Sequence, residues 1–228
     1  MYACLTPSRP SPGARVAFLV GDSHAGSIKN GIERAVQSDM TLAWVGITGN
    51  TCGLLHSATN GNSAICAEVK AIIEERLAAN VMAGDLVAVS HAGYKYYRTE
   101  DQQAQIALLR SVYTTILQPR GANLVIMGDP PRLPRWAIYC LNAVANCYTS
   151  SVTNTDQNAM LAPLANEFPG VLYVEIFHLF CDSQRCMAQV PGTSTFAFFD
   201  DSHLTTAGGL YLWPYLCAAF QAAGFINA

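Results

Sequence analysis

The chain has 228 residues, of which 51% are hydrophobic and 13% charged, and a formal net charge of −3. That length suits one α/β domain with a sizeable core spanning 1–228, and the apolar excess argues against disorder. No Lys/Arg run is present, which argues against a nucleic-acid footprint or a polybasic membrane patch.

Met1 to Gly13 is rich in Pro and Ser and lacks the charged start and apolar middle of a signal peptide. The expectation is that a signal has been removed or that the chain is a domain of a longer protein. Arg15–Val20 reads as a strand ending in the tight turn Gly21-Asp22-Ser23, with a helix from His24 to about Ser38. Thr41–Ile47 is a second strand, followed by the polar loop Thr48–Ser63. Ala64–Asn80 places Ile65, Val69, Ile72, Ile73 and Leu77 at helical spacing. Asp85–Ser90 is a third strand, Gln103–Leu117 a helix, and Asn123–Met127 a fourth strand running into Gly128-Asp129-Pro130-Pro131. After an irregular stretch come a helix near Gln157–Phe168, a strand at Val171–Ile176 and a looped segment to Asp200. The longest apolar candidate for a membrane span, Leu210 to Phe225, is interrupted by Pro214 and Gln221. It reads as a closing helix packed on a sheet, short of the ~18–20 uninterrupted residues a span requires.

Strands alternating with helices predict a three-layer α/β/α sandwich with a central five-stranded, mainly parallel sheet of flavodoxin-like style. Without repeats or a linker, no domain boundary is expected. In such sheets functional groups collect beyond the carboxyl ends of the strands. Ser23, Gly49, His91 and Asp129 all follow predicted strands there.

The eight cysteines fall into pairs close in sequence, Cys52/Cys66, Cys140/Cys147 and Cys181/Cys186, with Cys4 and Cys217 left near the two ends. An even count in loop-like pairs, with no CxxC knuckle and no His partner spacing, favours disulfides over a metal site. Cys4–Cys217 is the expected fourth pair. Disulfides in turn imply an oxidising, extracytoplasmic compartment.

Two short motifs carry chemistry. In Gly21-Asp22-Ser23-His24 a serine sits on a strand-to-helix turn, where its hydroxyl is exposed and helix-start amides can face a developing oxyanion. Such a hydroxyl needs a base to become a nucleophile. The competing interpretation is an ordinary strand end with Asp22 or Ser23 as helix N-cap. In Asp200-Asp201-Ser202-His203 the carboxylate of Asp200 can fold back onto His203, leaving the other ring nitrogen for Ser23. An acidic turn capping the helix near Thr205 is the plainer alternative. One motif closes the first strand and the other opens the final helix, so together they are far more specific than either alone.

A GDS early and a DxxH late on an α/β chain of this length resemble the SGNH hydrolases, which cleave or transfer acyl esters without a metal or cofactor. The resemblance assigns Ser23, Asp200 and His203 to a triad. Ile47-Thr48-Gly49-Asn50-Thr51 resembles the family's second block, making Gly49 an oxyanion donor beside the Ser23 amide. The third block departs from the pattern: Val89-Ser90-His91-Ala92-Gly93-Tyr94 has no Asn. Loss of one oxyanion donor costs ~3–4 kcal/mol of transition-state stabilisation, and His91 and Asn50 are the candidate substitutes. Gly21–Ala25, Cys52/Cys66, Asp85–Val89 with Tyr94, Gly128–Pro131, Cys181–Cys186 and Asp200–Leu204 are similar to SGNH domains associated with type-3 membrane acyltransferases. That resemblance implies an acylated carbohydrate or other small ester as substrate, and a membrane acyltransferase domain in a parent protein.

Tyr94, Tyr96, Tyr97 and Trp136 could stack on sugar rings or simply pack, and Asp129 could be a second acid or a turn residue. Two other functions compete. A non-catalytic carbohydrate-binding module would explain the missing Asn but not the intact Ser, Asp and His. A phosphate site at the Gly21 turn is disfavoured by the Asp22 carboxylate and by the absence of any nearby Lys except Lys29.

Overall fold

Each central strand is a run of apolar residues buried on both faces, the signature of a parallel sheet covered by helices on both sides. The computed structural model describes residues 9, 11–46, 54–55, 63–92, 99–140, 149–150, 156 and 158–227. Its elements in chain order are β1 (Val16–Gly21), α1 (Ser23–Val36), β2 (Thr41–Gly46), α2 (Ser63–Asn80), β3 (Leu86–Ser90), α3 (Thr99–Val112) and β4 (Asn123–Met127). There follow β5 (Thr149–Ser150), α4 (Pro163–Glu167), β6 (Val171–Val174), β7 (Arg185–Cys186), α5 (Thr206–Tyr211) and α6 (Trp213–Ala222). Five strands form one parallel sheet in the order β2-β1-β3-β4-β6. The pair β5 and β7 makes a separate antiparallel ribbon that the sequence reading did not foresee.

The period of two along each strand sorts the core into two clusters. Ala17 and Leu19 of β1 point toward α1, α5 and α6, where Ile28, Ile32, Leu212, Leu216 and Phe220 wait. Val16, Phe18 and Val20 point the other way, onto Val69, Ile73 and Leu77 of α2 and Leu109 and Val112 of α3. Full burial of such a side chain stabilises by roughly 1.5–3 kcal/mol, so this two-sided packing fixes the three layers.

Three helical expectations are corrected. The predicted helix Gln103–Leu117 starts earlier, at Thr99, and its last turn is a π-turn over Tyr113–Leu117. The predicted helix over Gln157–Phe168 is a 3-10 turn at Ala159–Leu161 followed by α4, because Pro163 cannot donate the backbone hydrogen bond a continuous helix needs. The closing helix is two helices, α5 and α6, that break at Leu212 just before Pro214. Among the described residues no helix is long and apolar enough to cross a membrane.

At the sheet's amino end, buried Asp85 accepts the Val16 and Met82 amides at 2.8 and 2.7 Å and pairs with Arg9. Hydrogen bonding to Asp85 raises the Arg9 pKa against the opposing effect of burial. Thus the starts of β1 and β3 are pinned to one carboxylate.

On one face of the sheet, α5 is seated directly on α1 through glycines. A Cβ on Gly31 would run into the Gly209 carbonyl oxygen, and one on Gly209 would lie 2.8 Å from the Ser27 carbonyl. Gly31→Ala gains roughly 1 kcal/mol of helix propensity but wedges the two helices apart. We expect a net loss of ~1–3 kcal/mol, measured as a lower midpoint in thermal denaturation. A variant as stable as the parent would show that close approach is not required here.

Candidate active site

The turn after β1 has a steric reason for its glycine. Gly21 runs so close to the Ser90 backbone of β3 that any Cβ would collide with its carbonyl oxygen. Asp22 then caps α1, its Oδ1 accepting the His24 amide at 2.9 Å, while Oδ2 accepts the Ala92 amide of the segment after β3 at 3.2 Å. The N-cap alternative for Asp22 is therefore correct, and it leaves Ser23 as the first residue of the helix.

The second turn is organised by Asp200. Its Oδ1 accepts the Ser202 and His203 amides at 2.8 and 2.7 Å, and its Oδ2 lies 2.6 Å from His203 Nδ1. Burial pushes the Asp200 pKa up, but the two amides and the imidazole outweigh it, so the carboxyl is held below its usual range. An ionised carboxylate only accepts, so His203 Nδ1 carries the proton. His203 Nε2 is then the acceptor, and Ser23 Oγ, 180 positions away in sequence, lies 2.7 Å from it and donates. The turn is braced from outside by the Leu133 and Ala137 amides, which donate to the Asp201 and Asp200 carbonyls at 2.7 and 3.3 Å. Arg132 holds Asp201 at 3.0 Å.

This constellation has the order nucleophile, base and orienting carboxylate, which suits acyl transfer through a covalent intermediate. Gly49 and Asn50 lie outside the described residues, as do Tyr94, Tyr96 and Tyr97. Trp136 is exposed and stacks on Tyr139 with ring centres 6.4 Å apart.

The structure gives His91 a linking role at Nε2. Its buried ring accepts the Leu55 amide at Nε2, 3.3 Å away, and directs Nδ1 toward Asp22 Oδ2 at 3.9 Å. A nitrogen that accepts an amide cannot donate, so Nε2 serves to tie the loop after β2 to this segment and only Nδ1 is left as a donor.

Several site residues escaped the sequence reading. Buried Asn158 donates to the His91 and Met127 carbonyls at 2.9 and 3.4 Å, joining the carboxyl ends of β3 and β4. Asp156 accepts the Asp129 and Asn158 amides and the Tyr173 hydroxyl. No spacing rule marks either residue, since both lie in an irregular stretch.

Among the cysteines, Cys181–Cys186 is a disulfide and Cys66 is disulfide-bonded. The expected Cys4–Cys217 bridge is corrected: Cys217 is a free thiol that packs from α6 against the first core cluster. Cys4 and the side chains of Cys52, Cys140 and Cys147 lie outside the described residues.

The fold and site define a three-layer α/β protein with a serine, a histidine and an aspartate gathered at the carboxyl end of its sheet. A family model described as "SGNH domain (fused to AT3 domains)" matches residues 2–216, and the chain belongs to that family. No curated protein sequence matches it. Among solved structures, it is similar to the periplasmic domain of the lipopolysaccharide acetyltransferase of Salmonella ser. Paratyphi A, with a TM-score of 0.69 and 14% identity. That match covers 96% of this chain and 86% of the other. A possible lipase from Chitinophaga pinensis is similar at a TM-score of 0.51 and 14% identity, covering 92% of this chain and 99% of that one. At these identities the likeness is one of fold.

Asp156 offers a pH test of the strand-four end. Burial raises its pKa to about 6, against the hydrogen bonds from Tyr173, Asp129 and Asn158. The folded state then holds this proton more tightly than the unfolded chain, whose Asp titrates near ~3.9. The contribution is therefore complete below about 4 and is lost as pH rises through about 6. Asp156→Asn removes that titration, so the stability of the variant relative to the parent should rise across this window in urea melts. Parallel pH profiles for the two proteins would refute the assignment.

Proposed function

We propose that the domain transfers acyl groups, most simply O-acetyl groups of carbohydrate, through an ester on Ser23. The observation that carries this reading is the 2.7 Å approach of Ser23 Oγ to His203 Nε2, with Asp200 at 2.6 Å behind the ring. In the first step Ser23 Oγ attacks the acyl carbonyl carbon and its proton passes to His203 Nε2. Asp200 stays ionised and steadies the imidazolium. The carbonyl oxygen becomes an oxyanion, received by the Ser23 amide at the start of α1 and by the Gly49 amide, with Asn50 as an optional third donor. His203 returns the proton to the departing alkoxide as the C–O bond breaks, leaving acyl-Ser23. Water or a sugar hydroxyl, deprotonated by the same histidine, then attacks the acyl carbon and releases Ser23.

With the third-block Asn absent, hydrolysis of simple esters should be slow, and an acceptor held in place would recover rate by orientation. The family's association with type-3 membrane acyltransferase domains supports a parent protein in which such a domain supplies the acyl group. The disulfides and the periplasmic origin of one fold neighbour favour an extracytoplasmic site.

Ser23→Ala and His203→Ala should each abolish covalent labelling by a fluorophosphonate and cut p-nitrophenyl acetate turnover on the order of 10³-fold or more, because triad members act as a unit. Asp200→Asn should lose less than either. Labelling mapped by mass to another serine, or full activity in Ser23→Ala, would end this reading.

The compartment has its own test. Alkylation of the denatured protein without reductant should spare Cys66, Cys181 and Cys186 and modify Cys217. Modification of Cys181 and Cys186 under those conditions would count against both the disulfide and the location. The Cys181–Cys186 bridge closes a short loop and should contribute up to about 2–3 kcal/mol.

A further inference from the structure

Two motif residues remain outside the triad: His24, which follows the nucleophile, and Asp129, which ends β4. The fold brings them together. His24 Nδ1 lies 3.3 Å from Asp129 Oδ1, with the side chains 2% and 5% exposed. The His24 ring also packs edge-on against the His203 ring, their centres 4.8 Å apart at an interplanar angle of 61°. We propose that His24 and Asp129 form a second histidine–carboxylate pair whose role is to position the His203 imidazole and steady the charge it acquires during acyl transfer. This rests on the Ser23 acyl-enzyme reading.

The argument is geometric. Asp200 and Ser23 fix His203 in its own plane through the two ring nitrogens, but hydrogen bonds in that plane leave the ring free to tilt about the Asp200–Ser23 line. The ring of His24 supplies a wall against that tilt. An aromatic contact of this T-shaped kind is favourable in itself and strengthens when the neighbouring ring becomes cationic. The wall is stiff because His24 is held twice. Its backbone amide is taken by Asp22 Oδ1, and its ring faces a buried carboxylate. Asp129 is held in turn, since its amide donates to Asp156 Oδ1 at 3.0 Å.

The charged and titratable groups around His203, among the described residues, divide by element. Asp200 stands on its own turn, beside Asp201 paired with Arg132, and His24 stands on α1. Asp129 stands at the end of β4, with Asp156 behind it and Tyr173 of β6 on Asp156. Asp22 is engaged elsewhere, with the Ala92 amide and toward His91. With the charge on His24 unchanged, removing the Asp129 charge leaves His203 with one fewer nearby anion, and protonation of His203 becomes harder.

The test combines kinetics with ¹⁵N-histidine NMR titration of the parent, Asp129→Asn and His24→Asn. In Asp129→Asn we expect kcat for p-nitrophenyl acetate to fall about 10–100-fold, as for other orienting partners, with KM within about twofold. The acid limb of kcat/KM and the NMR titration of His203 should both move to lower pH by at least about half a unit. His24→Asn keeps an amide near Asp129 but removes the ring, and should lose kcat to a similar extent. Folded variants with parental kcat and an unchanged His203 titration would overturn the proposal, as would a change confined to melting temperature. Should neither variant fold, the parent decides. Ring-proton contacts between His24 and His203, and a His24 shift that follows the His203 titration, are required, and their absence overturns it. A parent with no ester turnover but a displaced His203 titration in Asp129→Asn would retire the acyl-transfer reading while leaving the positioning role intact.

Discussion

The Ser23–His203 contact depends on how closely α5 can approach α1. Ser23 begins α1 and His203 lies three residues before α5, so the distance between these helices sets the distance between the two side chains. Gly31 and Gly209 make the approach possible by putting backbone against backbone where any side chain would intrude. Gly208 does the same against the Ala197 carbonyl on the loop leading into the turn that carries Asp200 and His203. Packed cores resist continuous deformation, so this contact behaves as a hard stop. Once it is made, a contact separated by 180 residues becomes a short hydrogen bond.

Four buried or half-buried aspartates then divide the labour at the carboxyl end of the sheet. Asp22 joins the β1 turn to the segment after β3, and Asp200 shapes the last turn and orients His203. Asp129 faces His24, and Asp156 gathers the end of β4 with Tyr173 of β6. Each receives amides, hydroxyls or an imidazole, which is how carboxylates are tolerated away from water. The differing partners separate their acidities: Asp200 is held low by two amides and a ring, whereas burial pushes Asp156 up to about 6. One residue type thus supplies both an obligate anion and a group that can take up a proton in mildly acidic conditions.

The sequence was most readable where one physical rule dominates. Apolar runs marked β1, β3 and β4 because strands buried on both faces tolerate little else. The GDS and DxxH motifs marked the site because a serine, a base and an orienting carboxylate are needed together. It was least readable where tertiary contacts decide. Periodicity ran through Pro163 without registering the break it enforces, and Pro214 was noted as an interruption of the apolar run but not as the start of a separate helix. That His91 receives the Leu55 amide at Nε2 could not be read from its place after β3. Cys217 looked like half of a terminal pair, but α6 turns it toward the core. The roles of Asn158 and Asp156 depend on where an irregular segment crosses two strand ends, and no local pattern encodes that crossing.

The departure in the third block can be understood through the same crossing. With no asparagine side chain available after β3, the backbone there must be held by other means. Asp22 takes the Ala92 amide, and Asn158 takes the His91 carbonyl from the opposite direction. The His91 ring in turn receives the loop after β2 through Leu55. The stretch after β3 therefore links the β1 turn to Leu55 in the loop after β2. Replacing His91 by asparagine would restore the family's residue type but withdraw the ring that accepts Leu55. Residue type and residue role are separable here: the segment after β3 holds the β1 turn, the loop after β2 and the irregular segment around Asn158 together.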